Sequence, residues 1–419
     1  MGTATPGRAN GAAAPWVPVL IATFGMQVAV SIAAQALPVA APLLTLEAGL
    51  RPEAVGYLIS ATHLGAALYL LVGGPVIPRF GAVRALQAGA VAAGIALLLS
   101  ASGLVPALFL GAFLLGLGTG PTTPAGSSVL ARTVPPEHRT LIFSVKQAGA
   151  PLGGFLAGLL LPTVALAGGW QAALLVAAAM VFVAPPLVQR LRPSLDGDRN
   201  PALRIGPRAL FTLGNLASPF ASLRSHTALL PLCALSVSLG VVQGCLLAFT
   251  VTFLVTAHGF GLGEAGLVFA ALQVGGFLAR IFLAWLADRT RAPIPLLLAM
   301  LAVAAVAVLV FALLAGRAPL VVIVPVALLI GIGGVGWQGI ALAEIARLAP
   351  PDRLANATSG ASLLVFLSYV VAPFLFAALV ARTGSWSLPL VLVALQAGLA
   401  TLLLAPRLLR EARASPILT

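Results

Sequence analysis

The sequence predicts an all-α integral membrane protein: twelve transmembrane helices, arranged as two parallel six-helix repeats around a central cavity. Three observations carry this. Of 419 residues, 60% are hydrophobic and 8% charged, against about 25% charged in a soluble chain. The mean hydropathy is +1.09, which leaves too little polar surface to cover a water-soluble particle and excludes a soluble enzyme, a secreted disulfide scaffold and a disordered chain. The apolar blocks have membrane-crossing length, about 20 residues each, and the blocks of one half recur in the other.

Taken in order, the first 15 residues are small and polar, with Arg8 their only charge. They carry no short apolar stretch with a cleavage site, so the first hydrophobic run reads as a span and not as a signal peptide. Windows of about 19 residues then place spans at 16–38, 54–76, 84–102, 105–132, 140–164 and 170–190. An arginine- and proline-rich stretch follows at 191–227, with a short interfacial helix expected near Leu210–Leu216. Six further spans fall at 228–256, 264–286, 294–315, 319–347, 355–382 and 387–406. The expected organisation is therefore a tail (1–15), a six-helix half (16–190), a basic connector (191–227), a second half (228–406) and a tail (407–419).

The net charge of +13 is mostly topology. The basic residues are dispersed between hydrophobic blocks rather than gathered in a patch, which argues against nucleic acid. With the N-terminus inside, 18 arginines fall in cytoplasmic segments and only Arg51, Arg317 and Arg382 in outer loops, a strong positive-inside bias. Both termini are expected in the cytoplasm and the protein in the inner (plasma) membrane. Cys233 and Cys245 lie in one apolar segment, about 18 Å apart along a helix and too far to bridge.

The repeat is visible residue by residue. At a shift of 215, Gly116-Leu117-Gly118 answers Gly331-Ile332-Gly333, and Arg132 answers Arg347. At a shift of 210, Arg79 falls on Arg289, Gly65 on Gly275 and His63 on Gln273. At 216, Gln27 falls on Gln243. Six spans per half keep both halves in one orientation, giving repeats about an axis along the membrane normal.

The stretch from Arg280 to Arg289, with Leu286-Ala287-Asp288-Arg289 at its end, resembles the loop signature of the major facilitator superfamily. The first-half copy is Gly74-Pro75-Val76-Ile77-Pro78-Arg79-Phe80-Gly81, with Pro78 where the family has an aspartate. The resemblance covers essentially the whole chain. It implies a secondary transporter in which Gly74, Arg79, Gly81, Asp288 and Arg289 belong to the loops that latch the cytoplasmic side. Because of Pro78, Asp288 is expected to hold the latch in the second half only.

Polar groups in hydrocarbon are costly and mark functional positions. Two cations fall inside spans. Arg280 lies about 12 Å of helix rise before Asp288 and shares a face with Gln273 and Gly276. Lys146 is the only lysine of the chain and shares a face with Gly149, Ala150 and Gly153, a small-residue face of the kind that packs helices. The lysine should therefore face protein or cavity. The resemblance implies that the fifth and eighth helices meet between the halves, which makes Lys146 and Arg280 neighbours. None of the ten acids falls near the middle of a span, so the cavity favours an anion over an organic cation. The segment around Arg280 locally resembles the monocarboxylate and oxalate/formate branches, where an arginine here binds substrate carboxylate. Gln27, His63, Gln243 and Gln273, paired across the repeat, are candidates to line the pathway, as are Trp337 and Gln338 in the glycine-rich tenth span.

The expected function is secondary active transport of a small organic anion. Two alternatives stay open. The run Gly149-Ala150-Pro151-Leu152-Gly153-Gly154 loosely resembles the family's antiporter motif, which fits a drug/proton antiporter; a non-transporting sensor on the same fold is the other. No nucleophile elbow, metal-spaced cluster or phosphate loop is present, so no catalytic residue, metal or cofactor is expected. The partners implied are a small-molecule substrate, with or without a coupled proton, and the lipid bilayer. The chain is expected to act as a monomer.

Overall fold

The computed structural model describes residues 16–135, 139–197, 199–203, 220–350 and 353–414. All regular elements among them are helical, and eleven of these runs are long and apolar enough to cross a membrane. One run, Arg139–Gln189, is two spans joined at Gly169, whose φ of 81° breaks the helix. An L-residue rarely adopts that conformation, so glycine permits the turn between spans five (139–168) and six (170–189). Twelve spans result. The interfacial helix expected near Leu210–Leu216 lies outside the described residues.

Several helices differ in length from the hydropathy windows. Span one runs Trp16–Glu47, more than two turns past 38, through Pro38 and Pro42. Proline is tolerated inside a membrane helix where neighbours re-satisfy the freed carbonyls, so here it does not end the span. Span two stops at Val72 (Ala54–Val72) and a separate short helix, Val76–Phe80, follows Gly73-Gly74-Pro75. Span three is Ala82–Ser100. Spans four and ten are each broken at corresponding places. Span four is Val105–Thr119 then Thr122–Thr133, interrupted at Gly120-Pro121. Span ten is Leu320–Gly334 then Gln338–Leu348, interrupted at Val335-Gly336-Trp337. Span seven is Leu229–Thr252, ending in a π-helical turn. Spans eight, nine, eleven and twelve are Leu262–Thr290, Pro293–Leu314, Leu354–Thr383 and Ser387–Ala414.

The glycines shared by the two halves explain the packing within each half. A Cβ on Gly65 or Gly116 would collide with the backbone carbonyls of Phe113 and Thr62 respectively, so spans two and four touch backbone to backbone. Their repeat mates Gly275 and Gly331 face the carbonyls of Leu328 and Leu272 in the same way and join spans eight and ten. Lipid tails are as apolar as leucine, so close van der Waals approach is what holds such helices together. Large apolar side chains remain on the outside, among them Phe282, Trp285, Val321 and Leu402, as a lipid-facing surface requires. The chain is a multi-pass membrane protein.

The halves meet along spans five and eight and along spans two and eleven. A Cβ on Gly158 would lie 2.9 Å from the carbonyl of Gly266, and one on Gly56 2.7 Å from that of Pro373. Tyr57 and Phe374 stack edge to face at 5.2 Å across the same joint. These contacts lie toward the end of the molecule away from the arginine-rich loops.

Candidate functional site

A cavity of about 850 Å³ lies between the halves. It reaches the Gly74-Pro75 loop, so it extends toward the arginine-rich end. Spans one, two, four and eleven supply most of its wall. Polar groups in the wall include His63, Gln35, Thr119, Thr123, Ser127, Asn356 and Ser359. Of the residues expected from sequence, His63 and Gly74 line it. Gln27, Lys146, Gln243, Gln273, Arg280 and Trp337 are buried behind the wall.

Two cations sit there. Lys146 is 0% exposed and Arg280 6%. The stem of Lys146 crosses Gly126 of span four, where a Cβ would lie 2.8 Å from Cε. Its Nζ donates to the Thr122 carbonyl at 3.2 Å and to Gln147 Oε1 at 3.4 Å. Thr122 adjoins Thr123 of the cavity wall. Lys146 therefore points into protein and does not snorkel to lipid. Arg280 crosses from the second half to the first. Its Nη1 donates to the Gln147 carbonyl at 3.1 Å, and its Nη2 to Gln338 Oε1 at 2.8 Å and the Val335 carbonyl at 3.4 Å. Its Nε has no hydrogen-bond partner among the described residues. Gln147 thus binds both cations, and among the described residues every acceptor on either cation is a neutral oxygen. A buried charge without a counter-ion is costly, and a carboxylate acceptor makes a hydrogen bond roughly twice as strong as a neutral one.

The network continues. Gln338 Nε2 donates to the Tyr369 hydroxyl at 2.6 Å; that hydroxyl donates to Gln243 Oε1 at 3.0 Å, which also accepts from Trp337 Nε1 at 3.0 Å. The ring of His63 lies 5.1 Å from that of Tyr369. His63 therefore connects the open cavity to the chain that ends at Arg280.

Gln27 and Gln273 stand apart from this network. A Cβ on Gly149 would lie 3.1 Å from Gln27 Cγ, and Gly154 makes room for the Gln273 amide. A Cβ on Gly153 would lie 2.5 Å from the Val28 carbonyl. The whole glycine run of span five is thus a packing seam against spans one and eight. Gln27 donates to Ser31 Oγ at 3.5 Å, and its Oε1 is buried without a partner among the described residues.

The loops behave differently in the two halves. Arg79 donates to the connector carbonyls of Pro201 and Leu203, and Asn200 N donates to the Pro78 carbonyl at 2.8 Å. Gly81, at φ 93°, starts span three beneath the Asp196 carboxylate, which accepts from Val83 N at 2.9 Å and Arg84 N at 3.1 Å. With proline in place of the loop aspartate, a connector acid caps the helix. Asp288 is exposed and its carboxylate joins no ion pair among the described residues. Arg289 lies over the Trp285 ring at 5.8 Å.

Gln147 and Tyr369 were not anticipated from sequence, nor was the hydroxyl-lined wall. A signal existed for the wall: Thr119, Thr123 and Ser127 recur every four residues, which puts them on one helix face.

Twelve spans, a twofold internal repeat and a cavity between halves define a membrane protein of the transporter architecture. The model of the Major Facilitator Superfamily matches residues 19–359, and the chain belongs to that family. It is 29% identical over 164 residues to the hexuronate transporter of Bacillus subtilis (strain 168), covering 37% of each chain. It is 28% identical over 275 residues to the 4-hydroxybenzoate transporter PcaK of Pseudomonas putida, covering 59% of this chain and 61% of that one. The chain thus spans 37% to 61% of the length of these relatives. Among solved structures, that of a peptide transporter POT in complex with sulfate superposes with a TM-score of 0.72 at 21% identity, covering 94% of this chain and 95% of that one, a likeness of fold.

Proposed function

We propose that the chain is a secondary transporter that moves a small organic anion, of carboxylate type, by alternating access. One observation carries this reading: two buried cations from opposite halves share Gln147 and meet only neutral oxygens among the described residues. In this reading the substrate carboxylate displaces the Gln338 oxygen from Arg280 and takes the unused Nε–H. His63 and Tyr369 form the passage from the cavity, while Gln243, Trp337 and Gln338 hold the second-half side of the site, and Gln27 and Gln273 flank span five. Gly74, Arg79, Gly81, Asp288 and Arg289 belong to the loops that move when the cytoplasmic side closes. The relatives named for organic acids support the same class. Substrate binding draws the halves together by its differential affinity for the closed state, driven by a substrate or proton gradient.

A panel of carboxylates and cationic dyes, tested for thermal stabilisation of the purified protein, checks the class. Carboxylates are expected to raise the unfolding midpoint and dyes to leave it unchanged; the reverse pattern favours the drug-efflux alternative and overturns this one. The arginine distribution supports both termini on the cytoplasmic side of the inner membrane, and the proposed organisation is two halves at 16–190 and 228–406 joined by the connector at 191–227. Reporter fusions at Thr419 should be active only in the cytoplasm, and activity on the outer face inverts the topology.

A further inference from the structure

A second recess, about 640 Å³, lies outside the transport cavity, between spans three and six at the arginine-rich end. Arg84 and Arg190 stand at its rim, and both are exposed. Its floor is a packed amide pair. Gln87 Nε2 donates to Gln189 Oε1 at 2.8 Å and to the Pro185 carbonyl at 3.0 Å, and Arg84 Nη1 reaches Gln87 Oε1 at 3.4 Å. Neither arginine is in an ion pair with an acid among the described residues. The carboxylate of Asp196 is already held by the amides of Val83 and Arg84 and lies 3.7 Å from Arg192 Nε.

Toward the membrane the groove turns apolar. Val91 lies seven residues past Arg84 on span three, about 10 Å by helix rise, and Ile95 continues the same face. On span six Pro185 and Pro186 line the recess, and Val183, seven residues before Arg190, continues that face toward the membrane. Val91, Ile95 and Val183 are all exposed. Two guanidinium groups thus stand above a two-sided hydrocarbon wall, the profile of one phospholipid with an acidic headgroup. Basic recesses between membrane helices on the cytoplasmic side recognise such headgroups, and the planar guanidinium matches phosphate oxygens two at a time.

We propose that this groove is a binding site for one anionic phospholipid, its phosphate held between Arg84 and Arg190 and its acyl chains lying along Val91, Ile95 and Val183. The assignment is independent of the transported substrate, and its test reads lipid and not flux. The full chain, purified in detergent, is titrated with phosphatidylglycerol, with phosphatidylcholine of the same acyl chains, and with glycerol phosphate. Retention is read by native mass spectrometry and stability by thermal unfolding. Phosphatidylglycerol is expected to be retained at one molecule per chain and to raise the unfolding midpoint, and the other two are not. Arg84→Gln/Arg190→Gln should weaken that retention at least tenfold, with each single variant intermediate. Arg407→Gln/Arg410→Gln, which removes two exposed arginines from the end of span twelve, should leave it unchanged. Because Arg84 and Arg190 face outward, their variants should fold like the native chain. Undiminished retention in Arg84→Gln/Arg190→Gln, or an equal loss in the span-twelve control, overturns the site. Equal stabilisation by phosphatidylcholine removes the headgroup from the argument, and equal stabilisation by glycerol phosphate replaces the lipid with a soluble phosphate.

Discussion

Replacing Arg280 with glutamine should abolish carboxylate binding and uptake while the protein still reaches the membrane. Glutamine keeps a donor for the neighbouring oxygens but removes the charge. The native guanidinium already holds three neutral oxygens, from Gln147, Val335 and Gln338, so the fold does not need the charge at this point and is relieved of an uncompensated one. In the proposed function the anion does need it. Losing one partner of a buried, hydrogen-bonded charge pair costs about 2–5 kcal/mol, so affinity should fall from about thirtyfold to more than a thousandfold at roughly 1.4 kcal/mol per tenfold. Calorimetric titration with the strongest stabilising carboxylate measures it. Lys146→Met should show a smaller loss of the same kind, and the double variant should lose less than the two losses together, because residues in one network couple by about 0.5–3 kcal/mol. Normal affinity in Arg280→Gln returns the arginine to a structural role, and strictly additive losses separate the two cations into independent sites.

The second large effect is on the fold. Gly116→Ala and Gly331→Ala should each lower the thermal midpoint, since the added methyl falls on a backbone carbonyl of the adjacent span. Neither spans two and four nor spans eight and ten can separate without losing the contact along their length. Overpacking of this kind costs about 1–3 kcal/mol and occasionally more. Gly25 and Gly339 supply the control. Both are helical and nothing lies within 4 Å of an added Cβ, so alanine there should be neutral or stabilising by up to about 1 kcal/mol through helix propensity. A native midpoint for Gly116→Ala would mean that spans two and four have room to part.

The sequence determines what depends on local hydrocarbon solubility. An apolar run of membrane length must form a helix there, because each unpaired backbone group in lipid is costly; the twelve spans followed from that alone. The recurrence of Gly65 and Gly116 at Gly275 and Gly331 already marked matching helix contacts, and the rarity of charge in the spans already singled out Lys146 and Arg280. The tertiary structure decided the rest. Span one continues through Pro38 and Pro42, and span two stops before Pro75, since the fate of a proline depends on whether a neighbour satisfies the freed carbonyl. Asp196 replaced the missing loop acid from 118 residues further along the chain. Gln147 and Tyr369 joined the cations to His63, and the open cavity fell beside Thr119, Thr123 and Ser127 instead of against Arg280 itself. No local pattern encodes these partnerships. A neutral hydrogen bond contributes only about 0.5–1.5 kcal/mol net, so many polar pairings are nearly equal in energy, and the choice among them belongs to the distances and directions set when twelve helices pack together.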